Sequence, residues 1–266
     1  MTLQLSEGKY FGNVIKYKEY PYFHCSITRY QPGERINDHY HENSYLSLLI
    51  NGSYVEDHAY TMDRVDAGKI MFRPCGYIHA NTFNEYGGAC LNIEFKAGLY
   101  EFLEQSTKFP QRAELYQTGH FLSAYKLLIS FTSCISEEMC EEFILDWLFE
   151  LCKQPPAEVS LPWFTNVKRI LHSEVDDCHS LCSLAKRVFV HPVYLARAFK
   201  QKTGLTIGEY QMKLRLQRSL GFLFNSRMPI HEVAFNCGFY DAAHFINAFK
   251  LIYNISPSRF RTALES

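Results

Sequence analysis

Two sets of side chains in this 266-residue sequence have types and spacings suited to chemistry. The first is His39, His41, Tyr45 and His79. Residues two apart on a strand share a face, so His39 and His41 project together, and His79 can meet them across a closed sheet. Three imidazoles can hold zinc or iron with one coordination position left open. The same rings, with the Tyr45 phenol, equally suit a pocket for a small organic molecule. No cofactor and no resident metal is expected; His39, His41 and His79 are the ligands if an ion does bind. The second set is Arg197, Lys200, Asn247 and Lys250. Guanidinium, ammonium and amide groups of this kind can hydrogen-bond an anionic or polar partner. The plain alternative for Arg197 and Asn247 is solvated helix surface.

The histidines fall within residues 9–95, where runs such as Tyr22–Tyr30, Tyr45–Ile50, Lys69–Phe72 and Cys90–Phe95 alternate with Gly, Pro and Asn turns. Short runs rich in Ile, Tyr and Phe with that punctuation predict a β-sandwich or small barrel. Tyr45, Tyr54, Phe72 and Tyr77 serve either a pocket or the core. From about Leu99 to Cys152 the period becomes helical. Phe121, Tyr125, Leu128 and Ile129 share one face, and Phe143, Leu145, Trp147, Leu148 and Leu151 form another apolar surface. Lys153 to Pro162 contains three prolines and reads as a linker. Beyond it, caps divide the chain. Trp163, Phe164, Val167, Ile170 and Leu171 line a first helix, Ser180 caps a second, and Pro192 opens a third that Gly204 stops. Thr206 and Glu209 form a capping box for a long fourth helix reaching about Asn225. Pro229 opens a fifth that Gly238 ends, Asp241 caps a sixth, and Ser256 and Pro257 begin a short last one.

Ala198, Phe199 and Lys200 recur fifty positions on as Ala248, Phe249 and Lys250. Gly204 then falls over Asn254, Thr206 over Ser256 and Tyr210 over Phe260; backwards, Leu195 meets Phe245 and, after a one-residue shift in the turn, Ala185 meets Ala234. Each copy is a short helix, a tight turn and a longer helix, with a small residue where the helices cross. Gly238 supplies the compact turn residue of the second copy, whereas Phe189 stands there in the first. A duplicated helical bundle would also give such a repeat. The residues carry more than that. The run from Leu184 to Lys200, with Thr203-Gly204, Glu209-Tyr210, Arg215-Leu216, Val233-Ala234, Gly238-Phe239, His244-Phe245, Ala248 to Lys250 and Ser256 to Arg261, resembles the AraC family of transcription regulators, continuously over about residues 160–262.

That resemblance implies two helix-turn-helix units gripping duplex DNA. Leu195, Ala198 and Phe199, and in the second unit Phe245, Ala248 and Phe249, face the core. Val193, Tyr194, Ala196, Arg197 and Lys200 then point outward, as do Ala242, Ala243, His244, Asn247 and Lys250. By resemblance Val193, Ala196 and Arg197 match base-reading positions, and Ala242, Ala243, His244 and Asn247 match the reading face of the second unit. Two alanines there predict weaker base selection. Lys200 and Lys250 are expected on phosphates, and Arg259 serves equally as an internal ion-pair partner. The fourth helix, ~30 Å long, is close to one turn of B-DNA, ~34 Å, so the family geometry implies one monomer on two successive major-groove faces.

In the first half, Gly33-x5-His39-x-His41-x3-Tyr45-x6-Gly52 and Gly68-x5-Pro74-x-Gly76-x2-His79 resemble the two-part cupin motif and the sensor domain common in the AraC family. Tyr45 stands where metal-binding cupins have Glu, and Asn84 falls one place late. The expected fold is α+β: an N-terminal cupin-like β-barrel with following helices over residues 1–152, a linker over 153–162, and an all-α domain of two helix-turn-helix units joined by a long helix over 163–266.

Charge is divided accordingly. Residues 160–266 hold 14 Lys and Arg against 7 Asp and Glu, and the remainder 13 against 21. A basic half suits a polyanion. No apolar run reaches the roughly 18 residues of a membrane span, and the N-terminus lacks a signal-peptide pattern. Nine cysteines without a Cys-x-x-Cys pair fit reduced thiols in a cytosol. The expected partners are double-stranded promoter DNA, a small-molecule effector held near His39, His41, Tyr45 and His79, RNA polymerase, and a second copy docked through helices between residues 113 and 152. No membrane partner is expected. The expected function is a sequence-specific regulator of transcription, an activator type rather than an enzyme. A metal-dependent cupin enzyme fused to a DNA-binding domain, and a regulator with no effector, are the alternatives.

Overall fold

The structure, a computed structural model, describes residues 2–58, 61–102, 110–132, 137–152 and 161–265. The chain divides into two compact units, residues 1–153 with 261–266 and residues 154–260. The linker expected over Lys153 to Pro162 lies, but for its last two residues, outside the described residues.

Nine strands form the first unit: β1 (Leu3–Leu5), β2 (Asn13–Glu19), β3 (Phe23–Tyr30), β4 (Arg35–His41), β5 (Tyr45–His58), β6 (Thr61–Asp66), β7 (Ile70–Arg73), β8 (His79–Phe95) and β9 (Glu114–Tyr116). They make one sheet that curls into a half-barrel, because its two longest strands each serve both layers. The end of β5 pairs with the start of β8, Tyr54 opposite Phe83, and these are flanked by β6 and β4, with β1 parallel to β4. The start of β5 pairs with the end of β8, Tyr45 opposite Glu94, and these are flanked by β7 and β9 on one side and by β3 and β2 on the other. Both strands bend at Gly52 and at Gly87–Gly88. Gly52 has φ 79°, and a Cβ there would overlap the Gly87 carbonyl, so only glycine fits.

Alternation then sorts the side chains of β5. Tyr45 and Ser47 face a cavity between the layers, while Leu46 and Leu48 are wholly buried on the other face. Three helices follow: α1 (Ala97–Phe102), α2 (Leu122–Thr132) and α3 (Glu137–Cys152). On α2 the Tyr125 hydroxyl donates to the Gly68 carbonyl at 2.8 Å, and Lys16 of β2 lies 5.0 Å from the Phe131 ring. Two expectations need correction. The region from Leu99 is not helical throughout, since β9 pairs with β7; three residues are too few to show an alternation. On α3, Leu145 is only half-buried and Ile144 takes the inward place, because it shares a face with Trp147 and Leu148 at i+3 and i+4.

Among the described residues, the regular elements from 161 onward are helices: α4 (Pro162–Ser173), α5 (Leu181–Arg187), α6 (Pro192–Thr203), α7 (Ile207–Asn225), α8 (Ile230–Asn236), α9 (Ala242–Tyr253) and α10 (Pro257–Glu265), the last running past the end of the second unit at residue 260. Their ends are set locally. Ser180 accepts from the Ser183 N–H, Asp241 from the His244 N–H, and Gly204 closes α6 in the left-handed conformation. Thr206 and Glu209 complete the reciprocal capping box. Leu184, Ala185, Leu195 and Phe199 join Phe164, Val167 and Leu171 in one core. Val233, Ala234, Phe245, Phe249 and Phe260 are buried in the second copy, with Phe249 and Phe260 5.6 Å apart. Ala198 and Ala248, expected in the core, are half-buried, one position short of the inward-facing Phe199 and Phe249. No helix among the described residues is long and apolar enough to cross a membrane.

Candidate functional site

Two helix pairs carry the candidate nucleic-acid interface. In each, the second helix (α6 or α9) buries Leu195 and Phe199, or Phe245, Phe249 and Tyr253, and leaves part of its opposite face exposed. Val193, Tyr194, Arg197 and Lys200 are exposed and Ala196 is half-buried; Ala243, His244, Asn247 and Lys250 are exposed and Ala242 is half-buried. Tyr194 leans edge-on against Trp163 at 5.6 Å, which leaves it less freedom than its neighbours. Among the described residues, Arg197 and Lys250 take part in no ion pair, in contrast to Arg187 and Arg218. Arg187 is held bidentately by Glu174 at 2.6 and 2.7 Å, and Arg218 meets Asp176 at 3.2 Å. Arg215 donates to the Val175 and Asp177 carbonyls. Those three arginines therefore brace the helices, and Arg197 and Lys250 do not. Arg259 is exposed, and no ion pair involves it among the described residues.

The other candidate is the cavity inside the half-barrel, enclosing about 340 Å³ including its open mouth. His39 and His41 on β4 and His79 on β8 are brought together as expected, with one ring nitrogen from each inside a 4.8 Å cluster. The Tyr45 hydroxyl bonds His79 Nε2 at 3.1 Å. His39 Nδ1 bonds the Asn37 carbonyl and His79 Nδ1 the Tyr77 carbonyl, at 2.9 and 3.0 Å. Burial, aided by neighbouring His39 and Arg73, lowers His41 to about 3 and drives His79 lower still; burial also lowers His39. All three are neutral imidazoles at neutral pH. Burial likewise raises the Tyr45 phenol, which stays protonated.

No motif or spacing points to the charged group beside them. Arg73, 2% exposed at the end of β7, is in close contact with Glu56, 1% exposed on the far half of β5. Arg73 Nε donates to Glu56 at 3.0 Å and Nη2 to the Tyr54 hydroxyl at 2.8 Å, and the guanidinium lies 5.0 Å from the Tyr45 ring centroid. Burial acts to lower Arg73, but Glu56, Tyr45 and Tyr54 outweigh it and hold it above its usual range. Its Nη1 has no partner, nor has His41 Nδ1. The only local clue was an arginine directly before Pro74, and it could not reveal a partner 17 residues upstream. Ser47 and Asn92, bonded at 2.6 Å, also line the cavity. These residues suit a resident metal poorly: among the described residues no carboxylate joins the cluster of three imidazoles, Glu56 is paired with Arg73, and that guanidinium stands close by.

A helix-turn-helix domain model matches residues 184–263. The Msm operon regulatory protein of Streptococcus mutans is 32% identical over 153 residues, 58% of this chain and 49% of that one, so the match spans about half of that relative's length. The arabinose operon regulatory protein of Salmonella typhimurium is 25% identical over 238 residues, 83% of this chain and 84% of that protein. Among solved structures, the C-terminal domain of AraT, a response regulator from Geobacillus stearothermophilus, is 27% identical with a TM-score of 0.38, over 40% of this chain and 88% of that one. Over residues 184–263 the chain thus carries a helix-turn-helix domain, and beyond it the chain is similar to the arabinose operon regulatory protein, a regulator of transcription.

Proposed function

We propose that the protein is a sequence-specific DNA-binding regulator of transcription whose N-terminal unit senses a small molecule, and that it is not an enzyme. The observation that carries this is the pair of capped helices, α6 and α9, each turning an unburied polar row outward from its own core. Arg197 reads a guanine, Lys200 and Lys250 hold phosphates, and Val193, Tyr194, Ala196, Ala242, Ala243, His244 and Asn247 make up the remaining contact faces. At 19 residues, α7 is about 28 Å long and sets the two units near one DNA turn apart. Selection of bound duplexes from a random pool tests this. A consensus should emerge, and Arg197→Ala should relax it at one position while costing about 1–3 kcal/mol. Uniform loss on every sequence would remove Arg197 from the reading face.

The domain plan in this proposal is sensing over residues 1–152 and DNA binding over 163–266, in a cytosolic protein that works with RNA polymerase. The effector sits by His39, His41, Tyr45 and His79, and presents hydrogen-bond acceptors to the spare Arg73 donor. A ligand raises the melting temperature of the state it binds, so a thermal-shift screen with neutral and acidic metabolites tests the pocket. A homodimer through α2 and α3 would rest on Phe149, 53% exposed, since most of their apolar residues are already buried. Sedimentation measures that pairing directly, and a strict monomer removes it.

A further inference from the structure

Tyr240 stands between two residues with fixed tasks. Phe239 before it is buried, its ring 5.0 Å from Phe245. Asp241 after it caps α9, accepting the His244 N–H at 2.7 Å. Held on both sides, Tyr240 projects outward and is 95% exposed. At the fifty-residue offset its counterpart is Val190, half-buried against the core of the first unit. Packing therefore explains the residue in one copy and not in the other.

The copies also differ in charge. Both second helices keep a lysine, Lys200 on α6 and Lys250 on α9, but α9 has Asn247 where α6 has Arg197, and the carboxylate Asp241 stands at its cap. A recognition helix enters the major groove by its N-terminal end. The residue just ahead of its cap then lies at the groove's rim, where the sugar–phosphate strand passes. Tyrosine is among the side chains that hydrogen-bond phosphate oxygens there.

We infer that Tyr240 is a DNA-contacting residue whose hydroxyl donates to a backbone phosphate beside the groove entered by α9, adding an anchor to the copy that has Asn247 where the first has Arg197. This rests on the DNA-binding proposal for the C-terminal unit. The full-length protein, with Tyr240→Phe and Tyr240→Ala, is titrated against its selected site and against a random-sequence duplex over a series of salt concentrations. Tyr240→Phe should weaken binding roughly threefold on both duplexes, as loss of one hydrogen bond does, and Tyr240→Ala should weaken it further. A neutral donor releases no counterion, so the salt slope should stay as in wild type, and melting temperatures should not change. Variants that bind like wild type, a loss confined to the selected site, or a parallel fall in melting temperature each overturn the contact while leaving the DNA-binding proposal intact. Wild-type protein that binds neither duplex overturns both.

Discussion

At Phe189 an L-residue holds φ at 56° in the turn of the first helix pair, with its ring 94% exposed. That conformation costs roughly 1–2 kcal/mol without glycine. The equivalent Gly238 has φ 76°, and a Cβ there would run into the Asp176 backbone, so the second copy has no such choice. Phe189→Gly should stabilise the C-terminal unit by up to about 1 kcal/mol, since glycine's freer unfolded chain returns part of the gain; chemical denaturation measures it. The buried histidines give a pH prediction. His41 and His79 are depressed in the folded state, so each takes up a proton on unfolding below the unfolded value of about 6.5. Their contribution is complete above that pH and is lost as pH falls toward the folded values, at up to about 1.4 kcal/mol per pH unit for each histidine. Melting curves of wild type and His41→Gln between pH ~6.5 and ~4 should diverge, with the variant the flatter.

The elements of the C-terminal half were legible in the sequence because their boundaries are chosen within a turn. Thr206 and Glu209 bond each other's backbone three residues apart, at 3.2 and 2.7 Å, and no distant partner is needed to recognise that pattern. Thr206→Ala should cost the unit about 1 kcal/mol, seen as a lower denaturation midpoint with an unchanged m-value. The sheet was less legible, for the opposite reason. β9 exists because the β7 edge pairs with it, and that edge is some forty residues away in sequence. The histidine cluster could be foreseen from alternation on β4 alone, but the Arg73–Glu56 pair requires knowing that β7 and the far half of β5 face one another. Sequence spacing carries no record of that.

For the molecule as a whole, net charge near zero conceals an uneven distribution, with 14 basic against 7 acidic residues from position 160 onward. Binding that depends on this excess is salt-sensitive, because each neutralised phosphate releases counterions. Lys200→Ala should weaken binding to every duplex alike and reduce the log–log salt slope by about 1, in contrast to the sequence-dependent effect expected of Arg197→Ala. In the N-terminal half, β5 and β8 pass from one wall of the cavity to the other, turning at Gly52 and Gly87–Gly88, and the Arg73–Glu56 pair ties those walls a second time. The container therefore has no free seam along its two longest members. A guest that draws on Arg73 would therefore draw also on Glu56, its partner on the far half of β5.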